Sequence, residues 1–199
     1  MKKIFSLVFL LTILSCNYFE TYEVQPTFEN NVNASHAKAK GTTLYSIQNS
    51  ILNDYYLHYS NDNLNLENVI SRLDSITHSN LEFQNLKIVN YSLPTSTEIV
   101  TLINNQNYVY DNLNVSVDCK YILDQMINNE IDFDVLSVII NSKNLSQQET
   151  ELLFYVAENL NDHNDDDWNK SRTVLIVSGY LKQPASAVFN SCLFKILNN

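Results

Sequence analysis

Only two of the 199 residues are glycine, Gly41 and Gly179. That scarcity constrains the fold more than any motif does. Antiparallel β-proteins turn on glycine-bearing hairpins, whereas helices are weakened by interior glycine, so an all-α chain is expected. Two glycines so far apart cannot form a G-x-G-x-x-G or Walker loop. The cofactors that such loops hold have no cradle here, and no cofactor is expected.

Apolar residues recur at helical spacing through the chain from residue 43 onward. Leu44, Ile47, Ile51 and Tyr55 lie three or four apart, as do Leu66, Val69, Leu73 and Ile76. Thr95 and Glu98 form a capping box after Pro94, and Ser146 and Glu149 form a second. Each predicts a helix start. Val117 to Ile127 and Phe133 to Ile140 carry further apolar faces, and Asn and Tyr dominate an edge segment at 104–114. The run "RTVLIVSGYL" fits a buried strand or a buried helix, and its helical surroundings favour the helix. Pro184 suits a first helical position, with Val188, Phe189, Cys192, Leu193 and Ile196 on one face beyond it. The expected architecture is an irregular antiparallel helical bundle of about seven helices over 43–199.

The N-terminus carries a different message. Lys2 and Lys3 precede an apolar stretch from Ile4 to Leu14, too short for the roughly 20 residues that span a bilayer as a helix. Ile13-Leu14-Ser15-Cys16 then resembles a bacterial lipobox. The resemblance implies cleavage after Ser15, a diacylglycerol thioether on Cys16, and a lipid bilayer as the first partner. More than one acyl chain is needed for stable anchoring. Residues 1–15 are thus expected to be a lipoprotein signal peptide. Residues 16–42, which lack sustained periodicity and hold Pro26 and several Asn, are expected to be a lipidated tether.

The chain has a formal net charge of −10, and loss of Lys2 and Lys3 makes the mature chain more acidic. That disfavours nucleic-acid backbones, which recruit Lys and Arg, so no nucleic-acid partner is expected. Beyond Cys16, only Cys119 and Cys192 remain. In an exported protein they would suit a disulfide, but both also fit as buried apolar groups on helical faces. Asp54 and His58 stand at i and i+4, and Asp162 and His163 fall in the acidic run "NDHNDDDW". Carboxylate and imidazole on one face are ordinary divalent-metal ligands. Set against this, surface ion pairing accounts for the first pair and a polar loop for the second. No nucleophile elbow or histidine signature supports a hydrolase.

The lipobox, "TTLYSIQNSILNDYYLHY", "KNLSQQETELLFYVAENL" and "SRTVLIVSGYLKQPASAVF" together resemble short, all-helical lipoproteins of Bacteroidota. The resemblance implies a lipid anchor in the cell envelope, at the outer membrane of a Gram-negative cell, and carries over no catalytic residue. The expected function is a membrane-anchored, non-catalytic binding or interaction protein. The alternatives are an envelope-tethered inhibitor of an exported toxin, whose acidity would suit a basic target, and a metal-assisted enzyme.

Overall fold

The computed structural model describes residues 28–59, 65–131, 133–161 and 166–198. Among these residues every regular element is a helix, ten in all, eight of them longer than six residues. In chain order they are α1 (Phe28–Tyr59), α2 (Leu66–Ser79), α3 (Leu81–Leu86), α4 (Ser96–Asn104), α5 (Gln106–Asp111), α6 (Val117–Ile127), α7 (Phe133–Asn141), α8 (Gln147–Asn161), α9 (Asp166–Lys182) and α10 (Pro184–Leu197). The all-helical expectation holds. The expected seven helices become ten partly because α3 and α5 are single-turn pieces of six residues, too short to show periodicity.

Local chemistry sets most helix starts. Asn65, Asn80, Thr95 and Ser116 each accept a backbone N–H of the first turn through the side chain, satisfying one of the orphan donors there. Thr95 and Glu98 close the reciprocal box, and Ser146 and Glu149 close the other. The ambiguous run 172–181 lies within α9, and Pro184 opens α10.

The last three helices make up the interior. Residues 150–157 of α8, 171–177 of α9 and 185–196 of α10 are buried on every face. A helix that is covered all round must lie in the centre of its domain. The other helices wrap this centre: α1 packs on α8 and α10, α4 and α5 on α9, α6 on α8 and α9, and α2 and α3 on α10. Phe154, Phe189 and Phe194 are almost fully buried, and each side chain of this kind contributes about 1.5–3 kcal/mol on leaving water.

One expectation about the N-terminal half is corrected. Residues 28–42 are not tether but the first half of α1, and Ala37 and Gly41 among them join the core. Ala37 and Gly41 are buried with Leu44, Gln48, Ile51 and Tyr55, an unbroken stripe at spacings of three and four. The stripe escaped notice because its first members are small. Gly41 is required there: a Cβ at this position would sit 2.8 Å from Phe154 Cβ and 3.0 Å from the Tyr155 nitrogen. Gly179 serves the same purpose between α9 and α10, where a Cβ would meet the Ser186 carbonyl oxygen at 2.7 Å and the Ala187 backbone at 2.8 Å. Both glycines let two helices approach closely, and neither has a positive φ.

Candidate functional site

The close approach at Gly179 shapes a cavity beside it. α9 runs out at Lys182, Gln183 bridges, and α10 begins at Pro184. Gln183 is held by its own backbone N–H to the Gly179 carbonyl (2.9 Å), and its Oε1 accepts the Ile88 N–H (2.9 Å). That second bond fastens the segment after α3 to the α9–α10 junction. The chain then returns through Ser92 and Pro94 into α4, which packs on α9. Between these elements lies a pocket of about 270 Å³, lined by Ser92, Pro94, Thr97, Glu98, Thr101, Leu102, Ser178, Lys182, Ser186 and Asn190.

Ser186 and Asn190 form its floor, each only 5 % exposed. At the rim, Lys182 Nζ lies 3.5 Å from Glu98 Oε1, with both side chains about half exposed. Glu98 is committed elsewhere as well, accepting the Thr95 N–H at 2.8 Å. That backbone donor, followed by the Lys182 charge, holds its carboxyl below the ordinary carboxylate range. Thr101 turns its hydroxyl proton onto the Thr97 carbonyl (2.7 Å), which is the usual resting bond of a helical threonine.

Asn190 differs from the rest. Its Nδ2 donates to the Leu175 carbonyl at 2.9 Å, which fixes the amide orientation. Its Oδ1 then has no hydrogen-bond partner. A buried acceptor left without a donor costs about 1–3 kcal/mol.

A second polar cluster lies deeper and is self-sufficient. Gln48 of α1 donates to Asn159 Oδ1 (2.8 Å) and accepts the Tyr155 hydroxyl proton (2.6 Å). Ser191 Oγ lies within bonding distance of both Gln48 Oε1 (2.9 Å) and Asn159 Oδ1 (2.7 Å), and Arg172 Nη1 donates to the Asn159 carbonyl (3.0 Å). The cluster joins α1, α8, α9 and α10, and burial pushes the Tyr155 hydroxyl well above its ordinary range. This arrangement fixes the register of four helices.

The residues singled out by sequence scatter. Asp54 and His58 are exposed on α1, and His58 Nδ1 donates to the Asp54 carbonyl at 2.7 Å, which ties the imidazole to its own helix. Among the described residues no three His, Cys, Asp or Glu side chains gather as a metal site. Asp162, His163 and Cys16 lie outside the described residues. The disulfide that the sequence left open is not formed: Cys119 and Cys192 are both free and buried, one on α6 and the other on α10. Burial pushes the Cys119 thiol up to about 12 and raises Cys192 as well, so both rest as inert thiols.

Sequence reasoning missed the pocket residues except Glu98, which it read only as a cap. The one available signal was Asn190-Ser191, a polar pair inside the otherwise apolar run of α10. Compared with protein-family models, with curated proteins and with solved structures, the chain matches none.

Proposed function

We propose that this protein is an envelope lipoprotein, anchored through Cys16, whose helical domain is a non-catalytic binding module with the α4–α9–α10 pocket as its ligand site. The domain is read as an irregular antiparallel bundle displayed on the outer-membrane side of a Gram-negative cell. The anchor rests on the lipobox alone. No described helix is long and apolar enough to cross a membrane.

The observation that carries the binding role is the pocket itself, a concavity of about 270 Å³ between α4, α9 and α10 that Pro94 and Leu102 line together with hydroxyl, amide and charged side chains. Concave sites with a few convergent polar groups on a mostly apolar wall are where small ligands bind. The thiols support a non-catalytic reading, because burial holds both in the protonated, unreactive form.

A thermal-shift screen of small fragments tests this reading, with Leu102→Trp as the control that fills the pocket. Fragments are expected to raise the melting temperature of the wild type and not of the variant. Equal responses in both would remove the pocket as the site. Incorporation of a labelled fatty acid, lost in Cys16→Ala, tests the anchor separately.

A further inference from the structure

Resting on Cys16 as the lipid anchor, we infer that the helical domain also docks directly on the bilayer, through the end where α9 turns into α10. The partner is the headgroup region of the membrane that holds the anchor, and exposed aliphatic side chains make the contact.

Hydrogen bonds and an ion pair gather several elements at this end. Glu151, near the start of α8, accepts the Tyr180 hydroxyl proton from α9 and pairs with Lys40 of α1. Glu149 accepts the Ser116 N–H at the start of α6, and Gln183 accepts the Ile88 N–H at the α9–α10 junction. Beside these ties stand Ile88 (60 % exposed), Val89 (85 %), Val117 (87 %) and Leu181 (45 %). Val117 adjoins Ser116, Leu181 adjoins Tyr180, and Val89 adjoins Ile88. Four exposed aliphatic side chains thus share one end of the bundle, and removing them from water is favourable.

Chain length points to the surface that covers them. α1 runs beside α8 in the same sense, with Lys40 meeting Glu151 and Gln48 meeting Asn159, so α1 enters the domain at this end. Twelve residues of chain lead from Cys16 to Phe28, a reach of at most about 43 Å. Tyr59, at the other end of α1, lies about 46 Å from Phe28 at the helical rise. A bilayer that holds Cys16 therefore meets the end at Lys40 before the end at Tyr59.

Charge favours the same orientation. At this end Lys40 pairs with Glu151 (2.7 Å), Lys143 with Asp118 (3.4 Å) and Lys182 with Glu98 (3.5 Å). Lys87 lies over the Tyr91 ring at 4.6 Å, and Glu149 is engaged by the Ser116 and Ser146 donors. These four lysines balance these four carboxylates, whereas the whole chain carries −10. A neutral or anionic headgroup layer repels the acidic remainder more than this balanced end. The net charge shared by two copies works against a second chain as the occupant.

The test uses the full lipidated chain in vesicles of phosphatidylethanolamine and phosphatidylglycerol. A fluorophore is placed on Val89→Cys, on Val117→Cys or, as the far-end control, on Leu57→Cys. All three replaced side chains are exposed, and the native Cys119 and Cys192 are buried. Flotation with the vesicles reports the anchor, and quenching by lipids spin-labelled near the headgroup reports the docking. Labels at 89 and 117 are expected to lie within about 10 Å of the headgroup–acyl boundary and to be quenched about threefold or more over the label at 57. In the double variant Ile88→Asp, Leu181→Asp, quenching at 117 is expected to fall to the level of the control. A chain that floats but is quenched equally at all three positions, or at none, overturns the docking and leaves the anchor standing. A chain that does not float removes the anchor, and the docking with it. Labels at 89 and 117 that become shielded in detergent as protein concentration rises assign this end to a second copy and overturn the bilayer as its partner.

Discussion

The backbone N–H of Ser116 donates to Glu149 Oε1 at 2.6 Å, across 33 residues of chain. Glu149 Oε2 meanwhile accepts from the Ser146 backbone (2.9 Å) and hydroxyl (2.9 Å). One carboxylate therefore caps its own helix, α8, and anchors the start of α6, where Ser116 in turn caps Cys119 (3.1 Å). Glu149→Ala removes both contacts and is expected to cost about 1–2 kcal/mol in urea unfolding. An unchanged midpoint would show that the two starts are independent of this residue.

The same carboxylate makes stability depend on pH. Burial acts to raise its pKa, but the Ser146 and Ser116 donors outweigh burial, and the folded value lies below the ordinary carboxylate one. A depressed folded value contributes stability that is complete above the unfolded pKa and is lost as pH falls through the folded one. Unfolding followed from pH 7 downward should thus show a loss below about pH 4.5, near the unreacted carboxylate value. In Glu149→Gln that loss is expected to shrink, and an identical profile would assign the acid sensitivity elsewhere.

Lys40 Nζ lies 2.7 Å from Glu151 Oε2, which also accepts the Tyr180 hydroxyl proton at 2.8 Å. Glu151 is buried but the Lys40 side chain is half exposed, so the coupling is discounted toward surface values. A double-mutant cycle of Lys40→Met and Glu151→Gln is expected to give about 1 kcal/mol. A coupling of zero would mean that this ion pair does not help to hold α1 on α8.

Gly179→Ala places a methyl against the α10 backbone and forces the two helices apart. The expected cost is about 1–3 kcal/mol, measured by thermal unfolding, together with a lower ligand response from the pocket beside it. Full stability would show that the α9–α10 contact yields more easily than its geometry suggests.

The native protein is expected to leave Cys119 and Cys192 unmodified by a thiol reagent at pH 8, and to expose both on unfolding without reductant. Recovery of a cross-linked peptide pair would contradict the free, buried thiols.

What the sequence made legible follows from how local each determinant is. The Thr95–Glu98 and Ser146–Glu149 boxes are each written within four residues, and both open helices as expected. Pro184 at the start of α10 is equally local. The helical start at Phe28 was not legible, because Ala37 and Gly41 bury a face through smallness and carry no hydrophobic signal. The pocket was least legible of all. It joins Pro94 and Thr97 to Lys182 and Asn190, residues nearly a hundred positions apart, and no periodicity records that encounter.

The binding role is tested most directly by what the protein carries when isolated from its own cells. Wild-type protein and Leu102→Trp, purified side by side under native conditions, are extracted and their small molecules compared by mass spectrometry. The account predicts a small molecule in the wild-type extract and its loss from the variant. Indistinguishable extracts would contradict it.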